Sequence, residues 1–307
     1  MANEDVVGVV DDVTGTTVYA TFLGAGGEMF GFLGYDGPEG WRSFADVTGG
    51  SGDPLDQPYS QHALSAWLSD RDGLDPRMVR LIKQAGLKPR GRNAWPEVLV
   101  HRPGLVPHVP DDAHAGLVAR VLPISLILAE TMRDARPGRS DEILVHRGGD
   151  ARRERRPPVM RTGLPLPAAD PMTLARATKQ GRTGGAWHLD HWTLPTPIAD
   201  RDPPWYPRQA IVREIPRGLV LDMDVLAPDA HPDAAARDLL LRLVGERGRP
   251  DRVVARRESV LRALEPLSRM FELVRDPDPS WSLQLSESMG AALQRSARGR
   301  TARQPTR

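Results

Sequence analysis

The order of periodic runs between residues 186 and 296 constrains this chain more than any other feature. Three β-like runs come first: "WHLDHWTL" (Trp187–Leu194), "RQAIVRE" (Arg208–Glu214) and "LVLDMDV" (Leu219–Val225), the last two forming a hairpin around "IPRG". The period then changes. "PDAAARDLLLRLVGE" (Pro232–Glu246) has amphipathic helical spacing, with Gly248 placed to stop it. "RVVAR" (Arg252–Arg256) is short enough for a buried strand, "SVLRALEPL" is helical, and "FELVR" (Phe271–Arg275) is the next strand. Ser280 to Gln294 forms a last helix, with Trp281, Leu285 and Met289 on one stripe. Parallel strands need long crossovers, and the helices between these strands supply them.

The first half has a coarser version of the same order. "VVGVV" (Val6–Val10), "TTVYATFL" (Thr16–Leu23) and "EMFGFLGYD" (Glu28–Asp36) read as an antiparallel meander. "GAGG" at 24–27 lies between two strands and not before a helix, so it is a hairpin turn and no phosphate loop. A short helix at Pro38–Val47 follows, then a strand at His62–Asp70. The next helix has Asp75 as cap, Pro76 in its first position and Gly86 at its end. "WPEVLVHRPG" (Trp95–Gly104) is extended, and a long helix from Asp111 to Asp134 is expected to kink at Pro123. Residues 135–185 are rich in Pro, Gly and Arg and read as a linker, with one strand at "EILVHR" (Glu142–Arg147).

Composition removes several chemistries. The chain has 307 residues and no cysteine, which excludes disulfides, thiol catalysis and every zinc site with Cys ligands. Its formal net charge is +1, so no global field draws it to nucleic acid or an anionic membrane. The N-terminus is acidic and lacks the order of a secretory signal. The most apolar window, Gly116–Met132, holds Arg120 and Pro123 and is shorter than the ~20 residues of a bilayer span, so it reads as a core helix. A cytoplasmic location is the expectation.

Two resemblances add to this reading. "VYATFLGAGGEMFGFLGYDGPEGWRSF" and "NAWPEVLVHRPGLVPHVPDD" in the first half, with "WHLDHWTLPTPI", "PWYPRQAIV" and "GRPDRVVARRESVLRALEPL" in the second, resemble a bacterial two-domain family of unknown function. The second half also resembles a retroviral-type integrase or RNase H-like core, in its element order and in an Asp on its first strand. That resemblance implies an acid set that holds two divalent cations for in-line phosphoryl transfer. Asp190 occupies the first position and Glu287 falls on the last helix, but Arg256 and Arg257 stand where the second acid belongs. A guanidinium there repels magnesium, so Asp190 and Glu287 are expected to be vestiges.

Other polar residues have bland readings. Asp222 and Asp224 share one face of an edge strand, where charge keeps the edge from pairing. His101, His108 and His114, near Asp111 and Asp112, lack the spacing of a helical ligand pair. His188 and Asp190 share a strand face and suit a hydrogen-bonded pair better than an ion. The seven tryptophans read as core anchors. The Arg cluster at 152–156 reads as solvated linker, interrupted by Glu154, and the tail after 294 as solvated and basic.

The expectation is thus an α+β and α/β protein of two compact halves. An N-terminal domain spans 1–134, a linker 135–185, an RNase H-like domain 186–296 and a disordered basic tail 297–307. The first half is expected to share the RNase H-like order. The function expected is non-enzymatic binding or scaffolding without a cofactor. The alternative is nucleic-acid binding or processing through Arg256, Arg257, Arg298 and Arg300, with magnesium or manganese required only for cleavage.

Overall fold

The computed structural model describes residues 6–24, 31–50, 52–134, 141–160 and 165–301. The chain divides into two compact units, Met1–Arg161 and Thr162–Arg307, each with its own mixed sheet.

Unit 1 begins with the expected meander. β1 (Val7–Val10), β2 (Thr17–Leu23) and β3 (Gly31–Asp36) pair antiparallel in sequence order. Residues 25–27 of the "GAGG" turn lie outside the described residues. α1 (Gly37–Thr48) follows, and its Trp41 and Phe44 pack against Tyr19 and Tyr35. β4 (Ala63–Ser69) returns beside β3, where the Trp67 ring fills the space that a Cβ on Gly31 would need, 2.0 Å away. α2 (Pro76–Gln84) is capped by the Asp75 carboxylate, which accepts from the Arg77 amide at 2.7 Å. β5 (Trp95–His101) then pairs antiparallel with β4.

α3 (Asp112–Asp134) crosses back over the sheet, running through Pro123, and delivers β6 (Glu142–Arg147) parallel to β1. By length and composition alone, Asp112–Met132 is apolar enough to cross a membrane. Here it lies on the sheet through Leu117, Val118, Val121 and Leu128, leaving Leu126 and Ile127 exposed. β7 (Asp150–Arg155) closes the sheet, giving the order β5-β4-β3-β2-β1-β6-β7.

This order agrees with the expectation only at its centre. The meander and the crossover from β1 to β6 are present, but β4 and β5 extend the antiparallel side and β7 runs antiparallel to β6. The 135–185 stretch also differs from a linker. It contributes β6 and β7 to unit 1 and α4 (Pro171–Thr178) to unit 2. β7 had no apolar alternation to announce it, because an edge strand exposed on both faces needs none.

Unit 2 has the order β10-β9-β8-β11-β12. β8 (Ala186–Thr193), β9 (Arg208–Glu214) and β10 (Val220–Leu226) form an antiparallel meander. α5 (Pro232–Arg247) leads to β11 (Arg252–Ala255), parallel to β8, and α6 (Glu258–Leu264) leads to β12 (Glu272–Arg275), parallel to β11. α7 (Ser280–Thr301) ends the described chain and runs past residue 297, where a tail was expected.

α5 is less amphipathic in place than its sequence implied. Leu239, Leu240, Leu241, Leu243 and Val244 are all buried, because α4 and α6 pack against it as well as the sheet. Each such side chain contributes roughly 1.5–3 kcal/mol.

Candidate functional site

β8 alternates strictly, and its two faces hold different chemistry. Trp187 and Leu189 enter the apolar core beneath α5, and His191 points the same way. His188, Asp190 and Trp192 face α7, where His188 stacks on Trp281 and Ser282 reaches Asp190. β11 lies parallel to β8 with Ala255 opposite Leu189, so the residues just after it arrive beside Asp190.

Those residues are arginines. Arg256 Nε donates to Asp190 Oδ2 at 2.8 Å and Arg256 Nη2 to Oδ1 at 3.3 Å. Arg257 Nε donates to Oδ1 at 3.2 Å and to the His191 carbonyl at 2.9 Å. Ser282 Oγ donates to Oδ2 at 2.7 Å, and the His191 amide to Oδ1 at 2.8 Å. The carboxylate is wholly buried, at 0% exposure. Burial alone raises its pKa, but the charges of Arg257 and Arg256 outweigh that and hold it below the ordinary range.

The surroundings of Asp190 are those of a buried ion-pair cluster and differ from a magnesium acid set. Magnesium takes octahedral oxygen coordination, whereas both oxygens of Asp190 already accept several donors beside two positive charges. Glu287 is not brought to Asp190: it is exposed on α7, while Ser282 and Ser286 are buried there. Among the described residues no group of three His, Asp or Glu side chains is arranged to hold a metal. The Arg256 and Arg257 side chains are 6% and 12% exposed in their ion pairs with Asp190, so neither presents an open phosphate site. The side chains of Arg298 and Arg300 lie outside the described part of α7.

A second cluster lies on the other face of β8. His191 Nε2 lies 2.8 Å from Asp233 Oδ1, to which Ser259 Oγ donates at 2.9 Å. Nucleophilic catalysis needs the serine on the imidazole, which then rests on the carboxylate. Here the serine bonds the carboxylate directly, and His191 is 2% exposed. The cluster joins the first turns of α5 and α6 to β8. Burial holds the His191 pKa down, helped by the Arg257 charge and opposed by Asp233.

His188 is also held low, by burial and then by Arg213, against Asp276 and Asp190. Arg213 Nη2 lies 3.1 Å from His188 Nδ1, and its guanidinium sits 4.3 Å from the Trp281 ring centre. Since arginine only donates, Nδ1 is the acceptor and His188 is neutral here.

The remaining marked residues have structural roles. Asp222 and Asp224 on the edge strand β10 both accept from Arg242 of α5, at 3.0 Å. His101 bonds Ser65 at 2.9 Å, and its pKa is lowered to about 4 by burial and by the charges of His108 and Arg102. His108 Nδ1 bonds the Val106 carbonyl, and His114 bridges Arg102 and Asp111. Trp41, Trp187, Trp192 and Trp205 are buried, while Trp67, Trp95 and Trp281 are half-buried. Sequence reasoning had no signal for Ser282, Asp233 or Ser259, since each matters only through a partner far along the chain.

Unit 1 also has an apolar cleft of about 540 Å³ between α3 and the sheet, lined by Phe22, Phe32, Leu68, Val98, Leu122 and Leu126 among others.

Comparison with known families agrees with the two-unit architecture. Residues 1–147 match the family model described as Domain of unknown function (DUF7309), and residues 173–276 match Domain of unknown function (DUF6930). No curated protein matches the chain. The two matches follow one another along the chain, the organisation of the two-domain family that its sequence resembles.

Proposed function

We propose that this is a non-enzymatic binding or scaffold protein of the cytoplasm, and that its second unit is an RNase H-like domain without the metal chemistry of that fold. The strand order β10-β9-β8-β11-β12, with an aspartate on the first strand of the unit, supports the fold reading. The observation that carries the functional reading is the buried Asp190 held by Arg256, Arg257 and Ser282. In a two-metal site a carboxylate there bridges cations. Here two guanidiniums occupy that electrostatic role permanently, and Asp190 joins β8 to β11 and α7.

Titration calorimetry with magnesium and manganese tests this, alongside cleavage assays on labelled single- and double-stranded DNA and RNA. The expected results are no saturable site for either ion and no cleavage. Metal-dependent cleavage by the wild-type chain that disappears in Asp190→Asn would overturn the reading.

A further inference from the structure

α3 is buried on one side and apolar on the other. Leu117, Val118, Val121 and Leu128 belong to the core. On the opposite side Ala115, Ala119, Pro123, Leu126 and Ile127 are exposed, Leu126 by 46% and Ile127 by 63%. Steps of three and four residues place them on one stripe. Between Asp112 and Glu130 the helix has two titratable residues, and both are engaged elsewhere: His114 bridges Arg102 and Asp111, and Arg120 reaches Asp11. Within Asp112–Met132 only 28% of the most apolar window is buried. The cleft of about 540 Å³ opens beside Leu122 and Leu126, so the apolar surface continues from the helix onto the sheet. A contiguous exposed surface of this kind marks an interaction site.

Two properties of the face select its occupant. Size is graded along it: Ala115, Gly116 and Ala119 leave the first half low, and Leu122, Leu126 and Ile127 make the second half stand out. Exposed acids stand at both ends, Asp112 and Glu130. A second copy laid antiparallel matches both properties. With Leu126 of each copy over Ala119 of the other, Leu122 meets Pro123 beside the two-fold axis and Glu130 lies opposite Ala115. Parallel pairing would set Asp112 and Glu130 each against its own copy and leave small residues facing small ones. A bilayer does not fit, because a span exposes its whole circumference to lipid and half of α3 is committed to the sheet.

We propose that α3 is a self-association surface, through which two copies of this chain pair antiparallel about a two-fold axis near Leu122 and Pro123. Large side chains of one copy fill the low half of the other, and the acids at the helix ends are kept apart. The inference is independent of Asp190. It goes beyond the binding role proposed above by naming a surface and the partner it fits.

Sedimentation equilibrium of the full chain tests it. The wild type is expected to dimerise reversibly. Leu126→Glu or Ile127→Glu should weaken the dimer about a hundredfold, because each change enters twice across the axis. Both side chains are exposed in the single chain, so circular dichroism should be unchanged. The chain has no cysteine, which makes its orientation readable by cross-linking. An equimolar mixture of Ala119→Cys and Leu126→Cys chains should form a mixed disulfide. Neither variant alone should cross-link, since the two copies of either position then lie about 10 Å apart along the axis. Should the glutamate variants fail to fold, wild-type methyl resonances decide. Those of Leu126 and Ile127 should shift with protein concentration while Leu240, in the core of unit 2, stays fixed. A monomer at the highest soluble concentration, a dimer unaffected by Leu126→Glu in a folded variant, cross-linking of either cysteine variant alone, or partition onto phosphatidylcholine vesicles in place of dimerisation would each overturn the proposal. These readouts report on self-association, so they succeed or fail separately from the metal and cleavage assays.

Discussion

An aspartate held by arginine stands just after the first strand of unit 1 and within the first strand of unit 2, and the two pairs differ in what surrounds them. Asp11 follows β1, where Arg120 of α3 reaches it with Nε at 2.6 Å and Nη2 at 3.0 Å. The Arg120 side chain remains 39% exposed. Asp11 also accepts from the Thr14 amide and hydroxyl, which closes the turn between β1 and β2. Asp190 lies within β8 under α7, and both of its guanidinium partners are enclosed with it. Both carboxylates are buried, Asp11 with its side chain 1% exposed, but the Arg120 guanidinium is open to water whereas Arg256 and Arg257 are enclosed. Losing the carboxylate charge therefore leaves a hydrated arginine in the first pair and two buried ones in the second, and that sets the consequence.

The most severe test of that contrast is Asp190→Asn, which leaves two buried guanidiniums without a counter-charge. Its expected cost is about 3–5 kcal/mol, read as the drop in unfolding free energy by urea titration. Joint replacement of Asp190 and Arg256 by leucine should recover part of that loss, and a double-mutant cycle measures the coupling. A cost near zero for Asp190→Asn would mean that the cluster is hydrated in solution.

Acid should reveal the same difference through its histidines. His188, His191 and His101 are all held below the usual value of 6.5 and are neutral when folded. Their contribution is fully present above 6.5, where the unfolded chain is also neutral, and is lost as pH falls below it. Each group has a limiting slope of about 1.4 kcal/mol per pH unit. For His101 the loss runs down to about 4. The Asp190 contribution is present above 3.8 and is lost only below that pH. Replacing His191 by glutamine should flatten the pH dependence below 6.5, measured as the melting temperature across a pH series.

At the rim, Asp11→Asn should lower stability by far less than Asp190→Asn, and added salt should shrink the effect further. A loss equal to that at Asp190 would end the contrast drawn here. The smallest change is expected at Arg242→Gln, about 0.5 kcal/mol, because that arginine bridges Asp222 and Asp224 in partial exposure.

Particular residues show how far the sequence was readable. The run Trp187–Thr193 reads as a buried strand because apolar residues alternate with residues that need partners, and it is β8. Arg256 and Arg257 were legible as the wrong charge for a metal site, and the structure sets them on Asp190. Glu287 looked equally well placed on its helix, yet it is exposed there. Helical phase relative to a sheet depends on how the helix docks, which spacing along the chain does not encode.

β4 and β5 teach the same lesson for topology. Each was readable as extended, but whether the chain after α2 returns antiparallel or crosses over depends on where that helix packs. α4 was hidden in a stretch rich in proline and glycine, and it becomes a helix with Asp170 capping Thr173 and Ala177 buried in the core of unit 2.

The sequence by itself determined the alternation of β8, the crossovers that make β11 and β12 parallel, the absence of thiol chemistry and the positive charge beside Asp190. These follow from local periodicity and residue type, which act within a few residues along the chain. Only the tertiary structure decided that Ser282 completes the Asp190 cluster, that Asp233 and Ser259 meet His191, and that "DARRER" is the exposed edge of a seven-stranded sheet. Each of those depends on elements distant in sequence packing side by side, and the free energy that brings them together comes from apolar cores to which these polar residues do not belong.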